Sequence, residues 1–148
     1  MGRMRSVTEI ATVERAVAEK IYPAGTTLIR MSAVNSYTGD NVLKYLEKPG
    51  EAESKYCCIV PNENIIRPRV MFGLIGTVLD EYMHTYISGM NIQAKDFRFL
   101  EIPVAPMAEQ IELEKQLNRL DEEEKQTQKL ITALKDFKAI MLDRMFVK

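Results

Sequence analysis

The sequence has few of the side chains that build metal and redox sites. It contains two cysteines, Cys57 and Cys58, and one histidine, His84. Adjacent residues of a strand point to opposite faces, so a disulfide between these cysteines is geometrically poor, and a zinc site would need further cysteine or histidine ligands. We therefore expect two buried free thiols and no metal site.

Long apolar runs are missing as well. No run approaches the roughly 18 residues that a membrane-spanning helix needs. The basic start of the chain, with Arg3 and Arg5, is not followed by the apolar stretch of a secretory signal. We expect a cytoplasmic protein that has no membrane partner.

Neither sign of charge is in excess. The chain has 20 lysines and arginines against 21 aspartates and glutamates, which gives a formal net charge of −1. A free-standing DNA-binding domain usually carries a basic excess. If this protein binds nucleic acid, it must therefore use a local basic patch, or a partner must neutralise much of the phosphate charge.

Signatures of catalysis are absent from the sequence. There is no glycine-rich phosphate loop ending in GK[ST], no GxGxxG, no HExxH and no GxSxG. The acidic run from Asp121 to Glu124 occupies consecutive positions, which point in different directions on a helix, so we interpret it as a solvated face. We expect a protein that is not an enzyme and binds no cofactor.

Residues 1–104 contain a mixture of strand and helix patterns. Residues 27–31, 42–46 and 55–60 are predicted strands, bounded by turn-forming residues. Apolar side chains at three- and four-residue spacings over residues 70–82 predict an amphipathic helix. The predicted fold class is therefore α+β, with a small mixed domain ahead of the C-terminal region.

The two ends of this domain carry signals of their own. Residues 6–9 (SVTE) form a possible capping box. It opens either a helix to about Lys20 or a short helix followed by a strand. At the other end, Pro103 and Pro106 predict a stiff, extended connector.

Residues 105–148 predict one long helix. No glycine or proline follows Pro106, and forty-odd helical residues would extend for about 60 Å. Apolar positions alternate at four and three residues over about four heptads, and only Glu124 and Lys138 interrupt them. Such a stripe needs a partner helix, unless the helix folds back on its own domain. The predicted pairing residues are Leu113, Leu117, Leu120, Ile131, Leu134 and Met141.

Five segments carry motifs that can be compared with a known family. They are residues 88–93 (SGMNIQ), 97–110 (FRFLEIPVAPMAEQ), 55–63 (KYCCIVPNE), 67–72 (RPRVMF) and 22–30 (YPAGTTLIR). Together they resemble the specificity (S) subunits of type I restriction–modification enzymes. That family has an "IPLPPLxEQ"-like junction before a long helix, an "IIPN…NPRFLY" passage and a "PkGTvLI" strand entry.

The resemblance implies a DNA-recognition subunit without a catalytic centre. S subunits direct a modification (methyltransferase) subunit, and in some complexes a restriction subunit, to a bipartite DNA site. They have two recognition domains separated by two antiparallel helices, whereas this chain has one domain and one helix. The resemblance therefore implies a half-size form whose partners are DNA, the modification subunit, possibly the restriction subunit, and a second copy of itself.

Polar and basic side chains in the domain are the predicted DNA contacts. Arginine and lysine pair with guanine, and asparagine and glutamine pair with adenine. We expect Arg67 and Arg69 to lie nearer the phosphates than the other candidates. The predicted set is Arg30, Asn35, Ser36, Tyr37, Lys44, Arg67, Arg69, Asn91 and Gln93.

A second function from a different class stays open. The chain could be an interaction protein whose helix docks on S or modification subunits and modulates them, with little DNA contact of its own. A requirement of this chain for sequence-specific methylation would separate the two functions.

Overall fold

The computed structural model describes residues 2–31, 42–86 and 92–146. Strands and helices are mixed along the chain, which confirms the predicted α+β class and the long C-terminal helix.

The chain divides into two compact units, Met1–Glu114 and Lys115–Lys148. The division follows Glu114, later than the predicted boundary after Val104. In chain order the elements are β1 (Arg3–Ser6), α1 (Val7–Ile10), β2 (Ala11–Arg15), β3 (Thr27–Arg30), β4 (Leu43–Tyr45), β5 (Tyr56–Pro61), α2 (Pro68–Tyr86), a 3-10 helix (Ala94–Phe97), β6 (Glu101–Val104) and α3 (Met107–Phe146).

The N-terminal cap forms, but its helix is a single turn. The Ser6 hydroxyl accepts a hydrogen bond from the backbone N–H of Thr8 at 3.2 Å and donates one to the carbonyl of Arg98 at 2.7 Å. The chain then enters β2, where Val13 pairs with Ile59 of β5. Of the two interpretations of this segment, the short helix followed by a strand is confirmed, because pairing in the sheet overrides the helical spacing.

A four-stranded antiparallel sheet, in the order β2-β5-β3-β4, forms the centre of the first unit. Alternate residues of β5 lie on opposite faces: Cys57 and Ile59 join the main core with Ile29, while Tyr56 and Cys58 join a smaller cluster on the other face. The predicted strands at 27–31, 42–46 and 55–60 are thus confirmed as β3, β4 and β5.

Helix α2 covers the main-core face of this sheet. Its buried side chains recur at helical spacing and include Met71, Ile75 and Leu79. A Cβ on Gly76 would lie 3.3 Å from Leu43 of β4, so the glycine permits close packing of α2 against the sheet. Gly25, with a φ of 94°, makes the turn before β3, where a Cβ would meet Pro68 at 2.7 Å.

The extended connector before the long helix is a strand. β6 pairs antiparallel with β1 in a two-stranded sheet, with Pro103 opposite Met4. A two-stranded sheet tolerates this proline because each strand has an unpaired edge.

Both cysteines are free and buried, as the sequence predicted. Burial raises the pKa of Cys57 to about 12 and that of Cys58 to about 11. A thiol with so high a pKa is a poor nucleophile at neutral pH, because the thiolate is the reactive form.

Helix α3 runs without interruption over Met107–Phe146. At 1.5 Å per residue its length is about 60 Å. Among the described residues, no helix is both long enough and apolar enough to cross a membrane.

Candidate nucleic-acid interface

Three cationic side chains gather around Tyr56 at one end of the four-stranded sheet. Arg30 is the cross-strand partner of Tyr56, so both side chains lie on the same face. The ammonium groups of Lys44 and Lys55 lie 5.4 Å and 5.5 Å from the centroid of the Tyr56 ring. We call these four residues the Tyr56 cluster.

The ring explains how the cluster holds its cations together. Tyr56 is only 5% exposed, because it packs with Leu28 and Cys58 in the smaller apolar cluster. Each cation–π contact stabilises by about 0.5–1 kcal/mol at such a site. Lys55 also pairs with Glu53 at 3.4 Å, but both side chains are exposed, so this ion pair is weak. The arrangement presents ammonium groups that can bind phosphate oxygens.

A second basic group lies on the other face of the same sheet end. Arg15, the last residue of β2, pairs with Cys57 and donates a hydrogen bond from Nε to the carbonyl of Ser54 at 2.9 Å. The cavity beside it has a volume of about 440 Å³. Its described lining is Arg15, Met31, Ile92, Gln93, Ala94 and Lys95.

The 3-10 helix holds the other wall of this cavity in place. The backbone N–H of Gln93 donates to the Asp96 carboxylate at 2.8 Å, and the N–H of Asp96 donates to the carbonyl of Gln93 at 2.9 Å. The N–H of Ile92 donates to the carbonyl of Met31 at 3.3 Å, which ties the 3-10 helix to the end of β3. Gln93 and Lys95 are thereby placed beside Arg15.

The structure brings three of the predicted DNA contacts to this sheet end: Arg30, Lys44 and Gln93. Four others lie outside the described residues, namely Asn35, Ser36, Tyr37 and Asn91. The cations Arg15, Lys55 and Lys95 were not in the predicted set. Lys55 directly precedes Tyr56 in the sequence, so this signal is local. Lys95 reaches Arg15, the last residue of β2, only through a long-range packing contact.

Arg67 lies elsewhere and is already engaged. Its Nε is 2.9 Å from Glu114 of α3, and its Nη1 is 3.6 Å from Glu63. These carboxylates compete with phosphate for the guanidinium. A DNA contact by Arg67 stays a prediction.

Arg69 follows at the start of α2, with its guanidinium carbon 5.2 Å from the centroid of the Phe72 ring. Because Pro68 packs against Gly25 ahead of β3, α2 begins at the end of the sheet opposite to Arg30. Arg67 and Arg69 are therefore separate from the Tyr56 cluster.

Gln110 fixes the first turns of α3 to the domain. Its side chain is 2% exposed, and its amide nitrogen donates to the carbonyls of Ile65 at 3.0 Å and Ala105 at 2.7 Å. Its amide oxygen accepts from the backbone N–H of Arg67 at 2.8 Å. The sequence had marked Gln110 only as the end of the junction motif.

The predicted pairing residues of α3 are mostly exposed. Leu120 is 58% exposed, Ile131 40% and Leu134 58%, whereas Leu117 is half-buried. Further exposed apolar side chains beside this stripe include Leu130 and Phe137. We call the stripe of alternating four- and three-residue spacing the seam. The last turns of the helix thus have a wider apolar face than the seam alone.

The single histidine of the chain lies on the surface of α2. His84 lies 3.4 Å from Asp80 one turn away on α2, and both side chains are exposed. No group of three or more histidine, cysteine or acidic side chains within residues 2–31, 42–86 and 92–146 is arranged to hold a metal ion.

No protein-family model matches this chain, and no curated protein matches it.

Proposed function

We propose that this chain is the DNA-recognition subunit of a type I restriction–modification system, in a half-size form that acts in the cytoplasm as a homodimer. The observation that carries the proposal is the basic end of the central sheet, where Arg30, Lys44 and Lys55 surround Tyr56. A chain of net charge −1 needs such a local patch to bind DNA.

The two basic groups have different chemistry, which suits two kinds of contact. The ammonium groups of the Tyr56 cluster act as point charges, which suits phosphate binding. The cavity beside Arg15 combines cations with the amide of Gln93 and an apolar floor, which suits the edge of a base. Each good bidentate base contact discriminates by about 1–3 kcal/mol.

The exposed stripe of α3 supports a homodimer. Two copies related by a two-fold axis present identical recognition domains, which must read identical half-sites in inverted orientation. The proposed DNA site is therefore bipartite and palindromic, and a rigid helix pair would keep its spacing constant.

In this proposal the chain carries out no chemistry and uses no cofactor. Methylation, and cleavage where it occurs, belong to partner modification and restriction subunits. Those partners also neutralise further phosphates. We therefore expect the chain alone to bind DNA weakly and with a strong dependence on salt.

The test is methylome sequencing of cells that express the chain with a candidate modification subunit. We expect methylation at a bipartite palindrome that disappears when the gene is removed and weakens in a Lys44→Gln/Lys55→Gln variant. Lys129→Gln on α3 is the matched control and should leave methylation unchanged. A non-palindromic motif, or methylation indifferent to this gene, would contradict the proposal.

The exposed apolar face of α3 also suits an interaction protein that docks on S or modification subunits. In that case the chain would co-purify with such a subunit, yet methylation would not depend on the Tyr56 cluster.

A further inference from the structure

We propose that two copies of α3 pair antiparallel in one register, with the two-fold axis between Thr132 and Ala133. The inference rests on the homodimer of the proposed function and on the antiparallel orientation of the two helices in S subunits, and adds the register and the residues that set it. The register depends only on side chains of α3 that the structure leaves exposed.

In this register the apolar seam residues meet one another. Each heptad contributes two residues to the seam, and in an antiparallel pair the first residue of one heptad faces the second residue of another. Ile131 therefore faces Leu134 of the second copy. Leu120 likewise faces Met145 of the second copy. Leu120 is 58% exposed and Met145 is 70% exposed, and the pairing covers both.

The two polar interruptions of the seam also come together. Lys138 faces Thr127 of the second copy, and Glu124 lies within one helical turn of Lys138 of the second copy. A glutamate and a lysine at seam positions thus compensate each other across the interface. A polar seam residue commonly fixes the register of paired helices at some cost in stability.

The side chains on one side of the seam, which we call its flank, also meet suitable partners. A two-fold axis brings the same flank of both helices together, so Leu130 faces Phe137 of the second copy, and these side chains are 60% and 62% exposed. Farther out, Glu123 faces Arg144 of the second copy. Within the described part of the chain, the side chains of Glu123 and Arg144 make no hydrogen bond or ion pair.

Other arrangements match poorly. A parallel pair would place Glu124 against Glu124 and Lys138 against Lys138. A shift of the antiparallel pair by one heptad would put Lys138 opposite Leu120 and Glu123 opposite Phe137. Charge complementarity therefore favours a second copy of this chain, in the proposed register, as the occupant of the exposed face.

Cross-linking measures the register directly. We would mix full-length Leu120→Cys and Met145→Cys proteins, oxidise them with copper–phenanthroline, and analyse them by non-reducing electrophoresis. The native thiols are buried and should not compete. We expect a covalent dimer in the mixture and none with either variant alone, because equal positions lie far from the axis.

Each other outcome has a clear meaning. Cross-linking of Leu120→Cys with itself would indicate a parallel pair, and cross-linking of Leu120→Cys with Lys138→Cys would indicate the shifted register. Either result overturns the inference but leaves the homodimer standing. A wild-type monomer in light scattering would overturn the homodimer as well.

Exchanging the charges of Glu123 and Arg144 tests the proposed contact between the two flanks. Glu123→Lys and Arg144→Glu each introduce two repulsive pairs per dimer and should raise the dimer Kd about tenfold, while the double exchange should restore it to within about twofold. Glu122→Lys makes the same charge change on the outer face and should have little effect. A double exchange without restoration would overturn the register.

Discussion

Replacing Gln110 with alanine should destabilise the domain more than any other exchange of a glutamine on α3. The buried amide makes three hydrogen bonds, to the backbone of Ile65, Ala105 and Arg67, at 2.7–3.0 Å. Each contributes about 1 kcal/mol net, so Gln110→Ala should lower the free energy of unfolding by about 3 kcal/mol. That loss is a large share of the 5–15 kcal/mol typical of a domain.

Urea unfolding followed by circular dichroism measures this loss. The midpoint should fall while the slope with denaturant stays unchanged, since the surface exposed on unfolding is the same. Gln116→Ala, at an exposed position of the same helix, is the matched control and should shift the midpoint little. Gln110→Glu should be worse than alanine at neutral pH, because its carboxylate would face the carbonyl oxygens of Ile65 and Ala105. Equal midpoints for Gln110→Ala and Gln116→Ala would refute the reasoning.

Three further predictions concern the interface, the helix and the thiols. Lys44→Gln with Lys55→Gln should reduce the salt slope of DNA binding by about 2, as expected for two lost phosphate contacts, in fluorescence-anisotropy titrations across salt concentrations. Leu120→Asp with Ile131→Asp should convert the dimer to a monomer in light scattering, because buried unpaired charge is costly. Burial raises the pKa of Cys57 from 9.0 to about 12, so above pH 9 the unfolded thiol ionises while the folded thiol keeps its proton. Stability measured by urea unfolding is therefore complete below pH 9 and should fall as the pH rises toward about 12.

Each of these predictions has a control. Lys129→Gln should leave the salt slope unchanged, and an equal loss there would mean that the Tyr56 cluster is not the phosphate site. Gln128→Asp with Lys129→Asp lies outside the seam and should remain dimeric. A Cys57→Ala variant should lose part of the alkaline decline, and an unchanged decline would assign it to other groups.

Local patterns were enough to predict most of the elements. Short apolar runs bounded by turn-forming residues predicted β3 and β5, and helical spacing predicted α2. The first helix was left open because Ser6 provides a cap while the following residues favour a strand. Pairing of Val13 with Ile59 decides between them, and that contact joins residues distant in sequence.

The candidate interface was harder to predict because residue type does not reveal the partners of a side chain. Arg67 and Lys44 are both basic, yet Arg67 pairs with Glu114, 47 residues away, whereas Lys44 lies over a tyrosine ring. Register and long-range packing decide which cations remain available. The same holds for Gln110, whose role depends on carbonyl groups from two other segments.

The near-zero net charge does not argue against DNA binding once the charges are located. A phosphate group senses charges within a Debye length of about 8–10 Å at physiological salt, so the local field matters more than the sum over the chain. Cations gather on both faces of one sheet end, while Glu81 and Glu101 line a different cavity of about 380 Å³ between α2 and β6. A chain of near-zero net charge can therefore present a basic surface to DNA, and in the proposed function its weak overall field leaves much of the steering and affinity to a partner subunit.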